Sequence, residues 1–356
     1  LWIDNAATEL HHQFSWERLY DDTGSKPVPL ATSAVTPFSR YIGLPSDDPQ
    51  PADDRPLRLL IAIANPKQLP ENFSEVQVDK ELLALCQALS DLSIQKQVTV
   101  TVLPGLTPLT PEVQQTLEES QFNIADGETG LNNILRHLQD QHVLHFVGHG
   151  QFKWNKGLGG RAVLYLERPS GGWEAVDDET IVTRLGNLRP QPLLVYLSAC
   201  ESGPGEGQGP FSGLAPKLVQ VGIPAVVAMR ERVEMDMARA LTQDFYQRLL
   251  DHGEVDRALN EARNLLLSFK SVDWAIPVLY MRLPDGRLLK QASIATPKPP
   301  ATKSPELPGP TTLDPALNQR DFATGTLDGA ARTRIRKNLV EYFNISELRD
   351  ICDSLD

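Results

Sequence analysis

Between Leu57 and Met281, short continuous apolar runs alternate with stretches at helical spacing. Leu59–Ala64 contains no polar residue and closes at Asn65-Pro66, which predicts a strand buried on both faces. Val78–Asp91 carries Leu82, Leu83, Leu85 and Leu89, with Leu92 beyond, at the spacing of one helix face. Further strands are predicted at Val98–Leu103, Val143–Val147, Leu193–Ser198, Ala225–Met229 and Pro277–Met281. Helical patterns fall at Leu131–Gln139, Phe211–Val219, Met235–Leu250 and Val255–Phe269. Strands of this kind separated by helices imply an α/β fold, with a mostly parallel sheet covered on both sides. An insertion, Val163–Glu167 then Trp173–Val176, is bridged by Pro169-Ser170-Gly171-Gly172 and reads as a hairpin.

The flanks differ in kind. Residues 1–56 have no clear period; Val28–Ile42 either pairs at the sheet edge or covers the core. Residues 57–283 form the expected α/β core. Residues 284–329 read as a linker, because seven prolines fall between Pro297 and Pro315 with few large apolar residues. Helical spacing returns over 330–356 through Ile335, Leu339, Tyr342, Phe343, Leu348, Ile351 and Leu355. Two helices are too few to close a core, so this segment reads as the start of a small helical domain. The chain opens on Leu1 rather than Met and stops inside an amphipathic stretch, and so reads as a fragment.

Composition narrows the function classes. The 356 residues are 41% hydrophobic and 22% charged, with a formal net charge of −12. That acidic balance argues against a nucleic-acid backbone binder and against a polybasic membrane anchor. No apolar run approaches the ~18 residues of a bilayer span. Cys86, Cys200 and Cys352 lie far apart, which leaves neither a disulfide framework nor a CxxC zinc site and fits a reducing, cytoplasmic setting. No cofactor motif is present: the stretch Gly203–Pro210 lacks GKS and GKT and does not fit GxGxxG, and it reads as a mobile wall beside Cys200.

In α/β sheets, functional groups gather past the carboxyl ends of strands. Two segments carry reactive residues there. His142–Gly150 is an apolar strand expected to end in a Gly148-His149-Gly150 corner, and Leu193–Gly203 runs into a small-residue turn at Cys200. On adjacent parallel strands the two tips rise together, and His149 and Cys200 form a base–nucleophile dyad. A neighbouring imidazole lowers a thiol from ~8.5 into the ~3.5–7.5 range, and His149 can then protonate the leaving amine. The N–H groups of Gly150 and Cys200 are the expected oxyanion hole. His149 and Cys200 are 51 positions apart, close to the ~50-residue separation of caspases.

Blander readings exist for each residue. A lone cysteine at a strand end is usually a small buried hydrophobe, and a lone histidine before glycine is usually a turn residue. Both together, in order and at strand tips, favour catalysis. His145 and His149 are four apart, as in HExxH, but without the Glu and on a strand, so no metal is expected and His145 reads as a satisfied sheet histidine. Cys86 and Cys352 fall on apolar faces and read as core. His11, His12, His137 and His252 have no obvious partner.

At these two segments the chain resembles the CHAT family, a branch of the caspase–separase clan of cysteine peptidases. Phe14-Ser15-Trp16-Glu17-Arg18-Leu19-Tyr20 looks like the family's opening Pro-Trp-Glu-Leu-Leu motif. His145–Gly150 and Leu197–Gly203 look like its two catalytic signatures. Phe211–Ala215, Val221–Met229, Asp244-Phe245-Tyr246 and Trp274–Tyr280 extend the similarity over roughly residues 12–283. The resemblance implies a caspase-like three-layer fold, with His149 as base, Cys200 as nucleophile and the Gly150 and Cys200 N–H groups as oxyanion hole. It implies a cysteine endopeptidase acting on a protein substrate, with a catalytically dormant scaffold as the alternative.

Ser198 stands where metacaspases carry an Asp that holds a basic P1 side chain. Residues after the strand following the nucleophile often line the S1 pocket in this clan, which points to Met229, Arg230 and Glu231. Glu231 suits a basic P1, Arg230 an acidic one, and a solvated charged loop is an equal reading. Leu339–Asp356 looks like the first helices of an effector-associated, death-like adaptor domain, cut short here. Such modules recruit adaptor or sensor proteins in bacterial defence and programmed-death pathways, and the linker would act as a tether.

Overall fold

The computed structural model describes residues 14–21, 27–44, 49–52, 56–70, 73, 75–155, 159–199, 211, 213–231, 233, 235–268 and 272–290. Two short strands, β1 (Tyr20–Asp21) and β2 (Val28–Pro29), pair antiparallel and precede β3 (Arg40–Tyr41). Next come β4 (Leu57–Ile63), α1 (Val78–Ile94), β5 (Val98–Leu103), α2 (Pro111–Glu119), β6 (Asn123–Ile124) and α3 (Leu131–Leu138). The strands β7 (Val143–Asn155), β8 (Gly159–Glu167) and β9 (Trp173–Asp177) follow, then α4 (Asp178–Gly186), β10 (Leu194–Ala199) and α5 (Leu214–Gln220). The described chain closes with β11 (Ala225–Met229), α6 (Met235–His252), α7 (Val255–Ser268) and β12 (Pro277–Met281).

The main sheet runs in the order β3-β12-β11-β10-β7-β4-β5-β6. From β11 to β6 every neighbouring pair is parallel, and β12 joins β11 antiparallel. Side-chain parity splits the core into two layers. Leu57, Leu59, Ile61 and Ile63 face Leu82 and Leu89 of α1, Phe245 and Leu249 of α6, and Leu259 of α7. Leu60, Ala62 and Ala64 face the opposite way, among Ile134 of α3, Leu185 of α4 and Leu218 of α5. Covering both faces requires apolar residues at successive strand positions; β11, Ala225–Met229, is buried at every one.

The strands expected at Val98–Leu103, Ala225–Met229 and Pro277–Met281 have those bounds in the structure. Three features differ from expectation. The strand expected to end at Val147 runs on to Asn155: it leaves the parallel ladder and pairs antiparallel with β8, so Gly148-His149-Gly150 is extended strand rather than a corner. Gly148 is needed for space, not for a turn, since a Cβ there would lie 2.8 Å from the Phe146 ring and 3.2 Å from Ala64 Cβ. Two short helices also escaped the apolar pattern. In α2 only Val113 and Leu117 are buried, one turn apart. α4 is announced by its N-cap, where Asp177 accepts from Thr180 N at 2.7 Å.

The segment 27–44 does both things expected of it: Arg40–Tyr41 pairs with Tyr280–Met281 at the sheet edge, and Ala31 enters the core. Packing also continues past Arg282, with Leu288 and Leu289 buried in the α1–α7 layer and Leu289 bridged to Ala52. The linker beyond and the segment 330–356 lie outside the described residues.

Candidate active site

The strand order places the ends of β10 and β7 side by side. Their register pairs Leu194 with Val143 and continues to Ser198 opposite Val147 and Ala199 opposite Gly148. His149 is the next residue of β7, at the point where that strand exchanges its parallel neighbours for β8 and faces Tyr165. It is 1% exposed, and its ring lies 5.6 Å from the Phe73 ring. Gly150 follows, half-buried and opposite Leu164. Cys200 and the Gly203–Pro210 stretch lie outside the described residues. Among the described residues there is no group of three or more His, Cys, Asp or Glu able to hold a metal. No helix among them is long and apolar enough to cross a membrane.

The candidate substrate wall is split by the structure. Ser198 is half-buried at the end of β10. Met229 is 2% exposed and packs into the α1–α7 layer, so its side chain supports the rim from below. Arg230 is 8% exposed and donates to Ser15 Oγ at 2.7 Å. Glu231 is exposed, with Arg18 at 3.8 Å.

The contact of Arg230 with Ser15 belongs to a buried charge cluster that the apolar pattern did not reveal. Glu17 and Arg40 are both fully buried and pair in bidentate fashion, Nε to Oε1 at 2.9 Å and Nη2 to Oε2 at 2.6 Å. Arg40 also donates to the Tyr280 hydroxyl at 2.9 Å and to the Phe14 carbonyl. Burial would push the Glu17 carboxyl up, but Arg40, Arg263 and Arg230 together hold it below the ordinary carboxylate range. Burial draws the Arg263 guanidinium down to about 10, and it is held by the carbonyl of Pro277 and by Asn260 Oδ1. The opening motif is thus a buried strap, tied beneath the end of β11.

A second unforeseen group is Glu167, at the end of β8. Its carboxylate accepts from the backbone N–H groups of Thr129 (2.8 Å), Leu106 (2.9 Å) and Asn65 (3.3 Å). Burial raises this carboxyl, and the three donors counter it only in part. Gly105, at φ +77°, leaves the room: a Cβ there would stand 2.5 Å from Glu167 Oε2. One side chain therefore pins the loops after β4 and β5 and the approach to α3 to the hairpin beside His149.

His145 is a satisfied sheet histidine, as expected. It is 2% exposed, stacks on Tyr196 with ring centroids 4.4 Å apart, and has its Nδ1 3.3 Å from the Tyr246 hydroxyl. Burial lowers its pKa from the ordinary 6.5 to about 3. The unfolded chain therefore binds this proton near pH 6.5 while the native chain refuses it until about pH 3. Over that window the unfolded state holds more protons, so stability falls as pH is lowered, by roughly 1 kcal/mol per pH unit. Calorimetry of His145→Gln should show a flatter decline of Tm between pH 6.5 and 4 than the parent chain.

Cys86 is buried in the α1 layer, and burial lifts its thiol to about 11. His252 accepts from Glu254 N through Nδ1 at 3.1 Å and lies near Glu261, and His137 lies beside Arg136. His11 and His12 lie outside the described residues.

A mostly parallel sheet between two helical layers, with a histidine on the central strand where it turns into a hairpin, is a caspase-like α/β fold. A family model described as CHAT domain matches residues 2–305, and the chain belongs to that family. No curated protein gave a match. Among solved structures it is similar to the YcaC gene product of Escherichia coli, described as an octameric hydrolase of unknown specificity. The identity is 10% over 63% of this chain and 98% of that one, with a TM-score of 0.25. A likeness that slight bears on neither fold nor activity.

Proposed function

We propose that the chain is a caspase-like cysteine endopeptidase that cleaves a partner protein through His149 and Cys200. The observation that carries this reading is the β7–β10 register: Ala199 lies opposite Gly148, and His149 and Cys200 are the next residues of their segments. The reaction follows from the residue types. The Cys200 thiolate adds to the scissile carbonyl carbon, with the oxyanion received by the N–H groups of Gly150 and Cys200. The C–N bond then breaks as protonated His149 gives its proton to the leaving amine. Water hydrolyses the resulting thioester, His149 taking a proton from the water, and the free carboxyl product leaves a regenerated thiol. No metal or cofactor enters the scheme. Ser198 and Glu231 remain candidate contacts for the substrate's acyl side, with Met229 and Arg230 supporting the rim.

The resemblance of Leu339–Asp356 to an effector-associated domain supports a role as a cytoplasmic effector in prokaryotic defence or programmed death. In that role the segment recruits an adaptor or sensor protein and the 284–329 linker serves as a tether.

The test is labelling with a thiol-reactive electrophile near neutral pH, read by peptide mass spectrometry. Cys200, activated by an imidazole, is expected to react at least ten-fold faster than Cys86, whose thiol is lifted to about 11. Equal sluggishness at both sites would favour the dormant scaffold instead.

A further inference from the structure

In the sheet order, β5 and β6 extend from β4 in one direction, and the chain then returns to lay β7, β10 and β11 on the other flank of β4. The order therefore reverses between β4 and β7. In open α/β sheets, the crevice outside the carboxyl ends at such a reversal is where ligands bind. Here the loop after β4 brings Phe73 into that crevice, against the rim histidine of β7.

Phe73 is the first of three rings. Its centroid is 4.8 Å from that of Tyr165, the residue directly opposite His149 on β8. Tyr165 in turn meets Trp173 of β9 edge-on, at 5.5 Å and 73°. Two of the rings are fixed by hydrogen bonds: the Trp173 indole N–H donates to the Gln68 carbonyl at 2.9 Å, and the Tyr165 hydroxyl donates to Gln151 Oε1 at 3.1 Å. Tyr165 is buried, whereas Phe73 and Trp173 are half-buried and present apolar surface beside the rim.

Position along the rim decides which part of a substrate such a surface meets. Passing along the carboxyl edge, the order is β11, β10, β7, β4 and β5. The β8–β9 hairpin stands off that path on the extension of β7, and Glu167 and Trp173 tie it to the loops after β4 and β5, on the side of β7 away from β10. Under the cysteine-peptidase reading, on which this inference rests, the acyl half is bonded to Cys200 and lies toward Ser198 of β10 and Glu231 after β11. His149 gives its proton to the departing amine, so the departing half lies on the His149 side. Beyond His149, away from β10, stand Phe73, Tyr165 and Trp173.

We infer that Phe73, Tyr165 and Trp173 form a subsite for the leaving half of the peptide, selecting an aromatic or large aliphatic residue just C-terminal to the scissile bond. When the C–N bond breaks, the new N-terminus carries the proton from His149 and departs across these rings. Ring-on-ring contacts and burial of a side chain of this size are the interactions such a surface offers.

The experiment uses a complex peptide library, with cleavage products sequenced on both sides of the cut. The full chain is compared with Phe73→Ala, Phe73→Leu and Trp173→Ala, each checked by circular dichroism and thermal melting. The parent is expected to enrich aromatic and large aliphatic residues at the first position after the cut. Phe73→Ala and Trp173→Ala should reduce kcat/KM on those peptides by roughly ten-fold while leaving the preference before the cut unchanged. Phe73→Leu, which keeps apolar bulk, should retain most of the selection and so separates a lost subsite from a lost fold. An unchanged preference after the cut in both alanine variants overturns the inference and leaves the peptidase reading standing. Faster cleavage of all peptides alike by Phe73→Ala also overturns it, since the ring would then be a cover over His149. A parent chain that cuts nothing removes the peptidase reading, and the subsite with it.

Discussion

Cys200→Ala is expected to abolish peptide cleavage, with a loss of about a thousand-fold or more, while the melting temperature stays near that of the parent. His149→Ala should lose a similar amount, and the double variant should lose little beyond either single one, because a nucleophile and its base act as a unit. Both expectations are checked by the same library, with a protein-free reaction as the blank. Undiminished proteolysis in Cys200→Ala would exclude this thiol from the mechanism. The prediction is strict about geometry. β7 and β10 are parallel neighbours with Ala199 opposite Gly148, so no rearrangement of the sheet is required to bring the two segments together. A protein in which those strands were separated by a third would have needed a loop to cross about one further strand spacing of ~5 Å.

The second large effect concerns stability and lies at the other end of the rim. Glu17→Gln is expected to destabilise the fold by about 3–5 kcal/mol, the cost of stranding buried charge when one partner of an ion pair is removed. Arg40→Met should cost less. Removing Arg40 leaves the carboxylate with Arg263 and Arg230, which both hold it ionised, whereas removing the carboxylate leaves guanidiniums that oppose one another. Denaturant titrations of the two variants decide the matter, and equal losses would contradict the asymmetry. pH adds a check on the same pair. The Glu17 carboxyl is depressed in the native state, so its contribution is complete above the ordinary carboxylate value and is lost as pH falls through the native value. The acid limb of the parent's stability curve should therefore be steeper than that of Glu17→Gln.

This cluster also explains the chain's opening motif in physical terms. Phe14–Arg18 is two helical turns short of any periodic signal, yet it supplies a carbonyl, a hydroxyl and a carboxylate to Arg40 and Arg230. Arg230 directly follows β11, so the strap fixes the backbone from which Glu231 projects. Part of what reads as a charged substrate wall is, in the folded chain, occupied with holding that wall in place.

The apolar pattern alone determined the strands of the core and the two-sided burial of the sheet. A strand covered on both faces must be apolar at successive positions, and that demand is local and visible. The same holds for His145 and Cys86, whose neighbours in sequence already mark their positions as interior. The candidate dyad was legible for a related reason, since a reactive residue after an apolar strand is carried to the rim wherever that strand lies in the sheet. Tertiary structure decided the rest. The passage of β7 through residues 148–150 into a hairpin depends on β8, which begins at Gly159, and on Phe146 and Ala64 filling the space beside Gly148. The pairing of Glu17 with Arg40, the three backbone donors on Glu167, and the approach of Phe73 to His149 join residues 23 to 102 positions apart, with no period to announce them. Polar and aromatic contacts of that kind are set by which strand ends become neighbours, and that is a property of the sheet order rather than of any single segment.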